Sequence, residues 1–245
     1  MNEFFNELRL FRKGIIKTLK EIKLSQYDPM FFHETIVTNT TYAPWRTDTA
    51  FMETYEIAKT HTLVDMYRSY NLWAMVKETN NVEGDILEVG VWKGGTACIL
   101  GTASEGKGTV FLADTFKGVV KAGTQDTFYK GGEHADSTED EVKELLSRKS
   151  IKNYSILTGI FPDDFLNMVD KKKFRFCHID VDVYQSSKDI FYYIWPRMTV
   201  NGVVVFDDYG FLGCEGVTKM VDEISLPDAV KIYNLTGQAV IVKTR

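Results

Sequence analysis

The chain has no long apolar run, no paired cysteines and no excess of basic charge, and each absence excludes a class of protein. Its 245 residues contain no apolar stretch near the roughly 18 residues of a membrane-spanning helix, and no signal-peptide core. Its three cysteines form no CxxC pair, which favours reduced core thiols over a disulfide framework. A formal net charge of −5 gives no general attraction to nucleic acid. We therefore expect a soluble, cytoplasmic protein with no transmembrane segment and no nucleic-acid partner.

Residues 1–24 predict a basic amphipathic helix. Its apolar positions recur at intervals of three and four, with arginines and lysines between them. Such a helix packs on its own domain or across a dimer, which we favour, or it contacts a membrane surface or a partner protein. We expect a homo-oligomer, with peripheral membrane contact through this helix as the alternative.

The remaining sequence predicts the fold. Residues 49–79 have helical spacing with a break near Thr60. From Asp85 onward apolar runs alternate with helical segments, which predicts βαβ units, and two strand-like runs around Thr236 and Gly237 predict a hairpin. We expect an α/β, Rossmann-like, doubly wound sheet of seven strands, mostly parallel, with a C-terminal antiparallel hairpin. The predicted divisions are an N-terminal helical extension with its connector (1–45), a helical lid or cofactor cap (46–80) and the Rossmann-like domain (81–245).

A glycine-rich turn, EVGVWKGG, follows the first predicted strand. Gly90 and Gly94 permit a tight turn and a close approach of the backbone to a ligand before the next helix. Glu88 precedes this turn, and Asp114 ends the second predicted strand, where an acid can hold a ribose diol. The turn lacks the GKS/T of a phosphate loop and the GxGxxG of a dinucleotide fingerprint. Alone, this pattern leaves a nucleoside-type cofactor and simple tight packing both open.

Acidic residues follow the fourth and fifth predicted strands, in HIDVDVY and FDDYG. Because the ends of neighbouring parallel strands meet at one edge, we expect Asp180, Asp182, Asp207 and Asp208 to converge there. Clustered carboxylates repel one another unless a cation lies among them or one takes up a proton. Oxygen ligands without cysteine or histidine favour Mg²⁺ or Mn²⁺ over zinc. The alternative is that these acids cap helices and surface turns.

Five motifs resemble the macrocin O-methyltransferase (TylF/MycF) family in order and spacing: DILEVGVWKGGT, ADTFKG, LTGIFPDDF, HIDVDVYQS and VVVFDDY. The resemblance extends from about residue 60 to the C-terminus. It implies transfer of a methyl group from S-adenosylmethionine to a sugar hydroxyl of a small-molecule or glycan acceptor. It implies a site for Mg²⁺, or alternatively Mn²⁺, at Asp180, Asp207 and Asp208. The cofactor contacts that it implies are Thr62, Leu63, Glu88, Val89, Gly90, Val91, Trp92, Asp114, Thr115, Phe116, Lys117 and Gly118.

The resemblance also implies that Asp180 is the catalytic base, which takes the proton of the acceptor hydroxyl. Catechol methyltransferases place a lysine three residues after the first metal aspartate, and Val183 at that position excludes such a base here. The other candidates for the base stay open: Asp182, His178, His61 and His134.

The sequence indicates less clearly which residues bind the acceptor. The glycine-rich segment 117–137 is long for a connection and, with the helices of 49–79, is our candidate for the acceptor-binding wall. Tyr129 and Trp45 are candidates for stacking on a sugar, although local packing is the favoured interpretation of each.

Two other functions stay open. One is a nicotinamide-dependent oxidoreductase, which has no need of three aspartates, and the other is a non-catalytic cofactor-binding protein.

Overall fold

The computed structural model describes residues 42–245, and the amphipathic helix predicted at the N-terminus lies outside this range. The strands are β1 (Asp85–Val89), β2 (Val110–Asp114), β3 (Tyr154–Thr158), β4 (Phe174–Ile179), β5 (Met198–Phe206), β6 (Ala229–Tyr233) and β7 (Ala239–Lys243). The α-helices are α1 (Thr49–Ala58), α2 (Met66–Glu78), α3 (Gly95–Ala103), α4 (Glu139–Arg148), α5 (Leu166–Val169), α6 (Tyr184–Ile194) and α7 (Glu215–Asp222). Short 3₁₀ turns lie at Pro44–Arg46, Thr79–Asn81 and Trp195–Arg197.

Two helices precede the sheet, and the break predicted near Thr60 lies between them. An aspartate caps each helix: the Asp48 carboxylate accepts the N–H of Phe51 at 3.0 Å, and Asp65 accepts the N–H of Tyr67 at 2.8 Å. The buried faces of both helices pack against α3 in one apolar cluster. Within 42–245, no helix combines the length and the apolar character needed to cross a membrane.

The seven strands form one sheet in the order β3-β2-β1-β4-β5-β7-β6. The first five are mutually parallel, whereas β7 pairs antiparallel with both β5 and β6. The predicted seven-stranded, mostly parallel sheet with its C-terminal hairpin is therefore confirmed. The hairpin does not simply extend the sheet, because its second strand inserts between β5 and β6. This order gives β5 a partner on each side, which suits a strand whose last five residues are all buried.

Two apolar clusters cover the faces of the sheet. Cys98 lies in one and Cys177 and Cys214 in the other, and all three are buried thiols without a disulfide, as predicted.

The register of the central strands determines which residues meet at the carboxyl edge of the sheet. Val89 pairs with Ile179, and Ile179 pairs with Phe206, so the residues that follow these three strand ends lie side by side.

Candidate active site

A cavity of about 320 Å³ lies at the carboxyl ends of the central strands. It is lined by nine of the predicted cofactor residues: Thr62, Leu63, Val89, Gly90, Val91, Trp92, Asp114, Thr115 and Gly118. Its lining also includes the predicted metal ligands Asp180, Asp207 and Asp208, and three of the alternative bases, Asp182, His61 and His134. The other three predicted cofactor residues, Glu88, Phe116 and Lys117, are not part of the cavity wall. One cavity thus joins the glycine turn to the aspartates.

The glycine turn after β1 is held by the carboxylate of Asp114. Its Oδ2 accepts the backbone N–H groups of Val91 at 2.7 Å and Trp92 at 2.8 Å, and its Oδ1 accepts that of Phe116 at 2.7 Å. Trp92 has a φ of 47°, a left-handed conformation that is uncommon for a residue with a side chain. Because Oδ1 takes only one of these bonds, it keeps acceptor capacity for a ligand hydroxyl. Asp114 therefore shapes the turn as well as facing the cavity.

Gly90 brings the glycine turn into contact with the neighbouring strand. Its φ is 90°, and a Cβ atom built there would lie 1.7 Å from the backbone oxygen of Asp180. Only glycine fits such an approach. The backbone N–H of Asp180 in turn donates to the Val89 carbonyl at 2.9 Å. The turn and the first aspartate of the cluster are therefore fixed directly against each other.

Glu88 and His178 form a pair behind the cavity, and both side chains are fully buried. Glu88 Oε1 lies 2.9 Å from His178 Nδ1, and His178 Nε2 lies 3.7 Å from Asp207 Oδ1. Burial by itself would lower the pKa of His178, but the carboxylates of Asp207 and Glu88 raise it to about 10. His178 thus lies between the carboxylates of Glu88 and Asp207, behind the aspartates, and is not part of the cavity wall where a base would meet a substrate.

The predicted aspartates converge at the ends of β4 and β5. Ligand atoms of His178, Asp180 and Asp207 all lie within 4.8 Å of one another, and Asp182, Asp208 and Cys214 form a second such group. Asp182 and Asp208 thus lie close enough for each to raise or lower the pKa of the other.

Asp180 and Asp207 differ in their hydrogen bonds. Asp207 Oδ1 accepts the side-chain amide of Gln238 at 2.7 Å. No residue of the described range donates a hydrogen bond to the Asp180 carboxylate. Asp180 is therefore the acid of the cluster whose oxygens are most available to a ligand.

Arg68 on α2 is a member of this cluster that the sequence analysis missed. Its Nη1 donates to Asp207 Oδ2 and to Asp208 Oδ1, the latter at 3.0 Å. The side chain is almost completely buried. A sequence signal was available, because Arg68 lies four and eight residues before Leu72 and Val76 and so continues their buried stripe. An arginine on an apolar stripe indicates a buried ionic partner.

The carboxylates at this edge outnumber the cations. Burial, followed by the charges of Asp207 and Asp208, raises the pKa of Asp180 well above its usual value. Burial, followed by the charges of Asp207 and Asp182, raises the pKa of Asp208 to about 8. Arg68 and His178 are the cations that face these acids within the described part of the chain. Raised pKa values of this origin report a repulsion that an added cation would relieve. The oxygen donors present fit a hard divalent ion such as Mg²⁺ or Mn²⁺.

The segment 117–137 forms one wall of the cavity and is tied to the helices beside it. The Ser186 hydroxyl donates to the Val120 carbonyl at 2.8 Å. Asp126 is buried, and its Oδ1 accepts the first N–H of α6, from Tyr184, at 2.9 Å. The predicted wall is thus anchored at several points along its length.

The two aromatic candidates for sugar stacking lie in different surroundings. Tyr129 lines the cavity, and its hydroxyl lies 3.4 Å from His134 Nε2. Burial and then the charge of Asp182 raise the pKa of Tyr129, so its hydroxyl stays protonated and can donate a hydrogen bond. Trp45 is not part of the cavity wall and instead packs edge-on against Tyr67 at 5.1 Å. Of these two candidates, Tyr129 is the one that lines the cavity.

Comparisons with known proteins show the family of the chain. A family model described as macrocin-O-methyltransferase (TylF) matches residues 18–231. The demethyldecarbamoylnovobiocin O-methyltransferase of Streptomyces niveus is 31% identical over 184 residues, which cover 68% of each chain. The 8-demethyl-8-(2,3-dimethoxy-alpha-L-rhamnosyl)-tetracenomycin-C 4'-O-methyltransferase of Streptomyces olivaceus is 27% identical, over 63% of this chain and 64% of that one. The solved structure of the O-methyltransferase NovP matches with 26% identity and a TM-score of 0.65, over 76% of this chain and 83% of that one.

Proposed function

Because the chain belongs to the macrocin-O-methyltransferase (TylF) family, it is an S-adenosylmethionine-dependent O-methyltransferase, and we propose that it methylates a sugar hydroxyl with the help of a divalent metal ion. The observation that carries this proposal is the single cavity shared by the glycine turn and the aspartate cluster. A methyl donor and an acceptor hydroxyl must meet within contact distance, and this cavity offers a place for each. A sugar is the acceptor class favoured by the relatives, one of which carries a rhamnosyl group in the name of its substrate.

The donor end of the cavity is the glycine turn with Asp114. S-adenosylmethionine supplies an electrophilic methyl group on a positively charged sulfur. We assign the ribose hydroxyls to Asp114 Oδ1 and the remainder of the nucleoside to the turn from Val89 to Trp92 and to Thr115 and Gly118. The negative charge of the aspartates beside this turn attracts a sulfonium cation toward the acceptor.

The acceptor end of the cavity is the aspartate cluster. We propose that Asp180, Asp207 and Asp208 hold Mg²⁺ or Mn²⁺, because their oxygens suit such ions and line one cavity. Asp180 and Asp207 lie within ligand distance of each other, and on this proposal Asp208, which belongs to the neighbouring group with Asp182, completes the set. When bound, such an ion supplies Lewis acidity that makes an acceptor hydroxyl easier to deprotonate.

We assign Asp180 as the base that receives the proton of the acceptor hydroxyl. Its carboxylate has no donor within 42–245, and its backbone lies directly against Gly90 in the cofactor turn. Asp180 therefore stands between the donor and acceptor ends of the cavity. Asp182 follows Asp180 two residues later and interacts with Tyr129. On this assignment it supports the acceptor wall.

A direct test of the function combines methyl transfer with ligand binding. The protein is incubated with methyl-labelled S-adenosylmethionine, Mg²⁺ and a panel of glycosides and nucleotide sugars, and label in an alkali-stable ether is measured. We expect transfer to at least one sugar, together with calorimetric binding of S-adenosylhomocysteine and none of NAD. Binding of NAD in place of S-adenosylhomocysteine would favour an oxidoreductase. Binding of S-adenosylhomocysteine with no transfer to any sugar would favour a non-catalytic relative or another acceptor class.

Asp114→Asn is expected to weaken S-adenosylhomocysteine binding at least about tenfold while leaving Mn²⁺ affinity unchanged. The amide nitrogen of asparagine cannot accept a hydrogen bond, so at least one of the three backbone N–H groups now bonded to Asp114 loses its partner. The ribose hydroxyls assigned to Asp114 also lose a charged acceptor, and a hydrogen bond to a charged group contributes about 1.5–3 kcal/mol, which corresponds to roughly tenfold or more in affinity. Calorimetry with each ligand measures both effects. Equal losses for cofactor and metal would contradict the division of the cavity into two ends.

A further inference from the structure

Arg68 lies among the aspartates and has no role in the function described so far. We propose that Arg68 is a positioning residue that orients Asp207 and Asp208 for the divalent ion. The inference rests on the metal site of the proposed function. It concerns a residue of α2, outside the two strand ends that supply the carboxylates.

The geometry of the contact singles out Arg68 as the link between the two adjacent aspartates. A single nitrogen, Nη1, donates to one oxygen of each carboxylate, Asp207 Oδ2 and Asp208 Oδ1. Neighbouring carboxylates at a strand end repel each other and would otherwise turn apart. The shared donor holds one oxygen of each acid, and the second oxygen of Asp207 is held in turn by the Gln238 amide. Charge-assisted bonds of this kind are short and directional.

The guanidinium atoms that face away from Asp207 and Asp208 also have partners. Nε donates to Asp65 Oδ2 at 2.9 Å, and Asp65 also caps the start of α2. Nη2 lies 3.4 Å from the Leu63 carbonyl, and the guanidinium carbon lies 4.6 Å from the centre of the Phe211 ring. The side chain is only 7% exposed, so water cannot substitute for it. A buried donor with fixed partners on both sides ties the orientation of the two carboxylates to the position of α2.

The alternative is that Arg68 competes with the ion, since a positive charge beside the ligands also repels a second cation. Two observations favour positioning over competition. No hydrogen bond or ion pair joins Arg68 to Asp180, the acid whose oxygens lack a donor in the described range, and the oxygens of Asp207 and Asp208 that Arg68 does not bond keep acceptor capacity, Asp207 Oδ1 beside the Gln238 amide that it accepts. The guanidinium lines the cavity next to the two acids and bonds one oxygen of each, as hydrogen-bonded partners of metal ligands do.

The test compares Mn²⁺ affinity among five full-length proteins, the wild type and four variants, measured by the electron paramagnetic resonance signal of free Mn²⁺. Arg68→Met keeps the length of the side chain and is expected to weaken Mn²⁺ binding about 10- to 100-fold, the usual effect of losing a partner of a metal ligand. Arg68→Lys retains the charge without the fork and is expected to restore part of the affinity. Asp65→Asn keeps a good helix cap but removes the charge that holds Nε, so a smaller loss of affinity is expected.

Arg175→Met is the matched control for loss of a buried arginine. Arg175 is as buried as Arg68, but it bonds Gly84 and Asn80 near the start of β4, at the opposite end of the strand from Asp180. We expect it to lower stability without changing Mn²⁺ affinity. S-adenosylhomocysteine binding and the melting temperature of every variant show whether its fold is intact. If Arg68→Met does not fold, Asp65→Asn carries the test.

The outcomes separate this inference from the proposed function. Wild-type protein that binds no Mn²⁺ would overturn the metal site and the role of Arg68 together. Wild-type binding with equal or tighter binding in Arg68→Met would overturn the positioning role alone and would indicate competition. An unchanged affinity in Asp65→Asn, where Arg68→Met is unfolded, would likewise overturn it. Equal losses in Arg68→Met and Arg175→Met would mean that the effect is one of general stability.

Discussion

Asp180→Asn is expected to reduce kcat for methyl transfer by roughly 10²- to 10⁴-fold, with little change in the affinity for S-adenosylhomocysteine. Asparagine has nearly the same shape as aspartate, but it can neither accept the hydroxyl proton nor balance the charge of an ion. The Asp180 backbone, which contacts Gly90 and Val89, is unaffected by the substitution. The cofactor turn should therefore keep its geometry while the chemistry is lost. Steady-state kinetics and calorimetry measure the two quantities separately.

Two further variants separate Asp180 from its competitors for the role of base. Asp182→Asn is well suited as a comparison, because Asp182 has a φ of 62° and asparagine tolerates that left-handed conformation. We expect it to retain much more activity than Asp180→Asn. His178→Gln tests the buried pair with Glu88, which is expected to affect stability before catalysis. An inactive Asp182→Asn beside an active Asp180→Asn would transfer the role of base to Asp182. Loss of activity in a correctly folded His178→Gln alone would exclude both aspartates.

Removal of divalent ions by EDTA is expected to reduce methyl transfer to background, and addition of Mg²⁺ should restore it. An alcohol is a poor nucleophile at neutral pH, and a single aspartate is a weak base toward it. Burial and then the neighbouring carboxylates raise the pKa of Asp180 and of Asp208, and a bound cation would favour the charged form of both acids. Initial rates at saturating acceptor, before and after each addition, measure the effect.

The metal prediction has controls on both ligands. S-adenosylhomocysteine should still bind after EDTA treatment, because the glycine turn and Asp114 are held by hydrogen bonds of the chain. Asp207→Asn and Asp208→Asn should require more Mg²⁺ than the wild type for half-maximal activity. Full activity of a metal-free preparation, verified by elemental analysis, would be incompatible with a catalytic ion.

The sequence predicted most of the fold and the meeting of the aspartates, for one physical reason. Parallel strands joined by right-handed crossovers bring their carboxyl ends to the same edge, so residues that directly follow β1, β4 and β5 must become neighbours. Gly90, Asp180 and Asp207 follow those strands in the chain and lie together in the structure. For such residues, strand assignment alone is enough to place the site.

Features that depend on contacts between distant elements were not predicted. Arg68 reaches Asp207 across 139 residues of sequence, and only its place on the buried stripe of α2 hinted at such a partner. Glu88 was expected to contact a cofactor, but the structure turns it away from the cavity to His178, because side chains alternate between the two faces of a strand. The insertion of β7 between β5 and β6 likewise depends on which edge of β5 is open. Short-range patterns carry none of this information.

The most direct test of the central claim is anomalous diffraction from crystals of the wild-type protein grown with Mn²⁺ and S-adenosylhomocysteine. The account predicts one strong anomalous peak among the carboxylates of Asp180, Asp207 and Asp208, with the cofactor on the glycine turn and its sulfur toward that peak. A fully occupied cofactor with no anomalous peak among these aspartates, at a Mn²⁺ concentration that supports full activity, would contradict it.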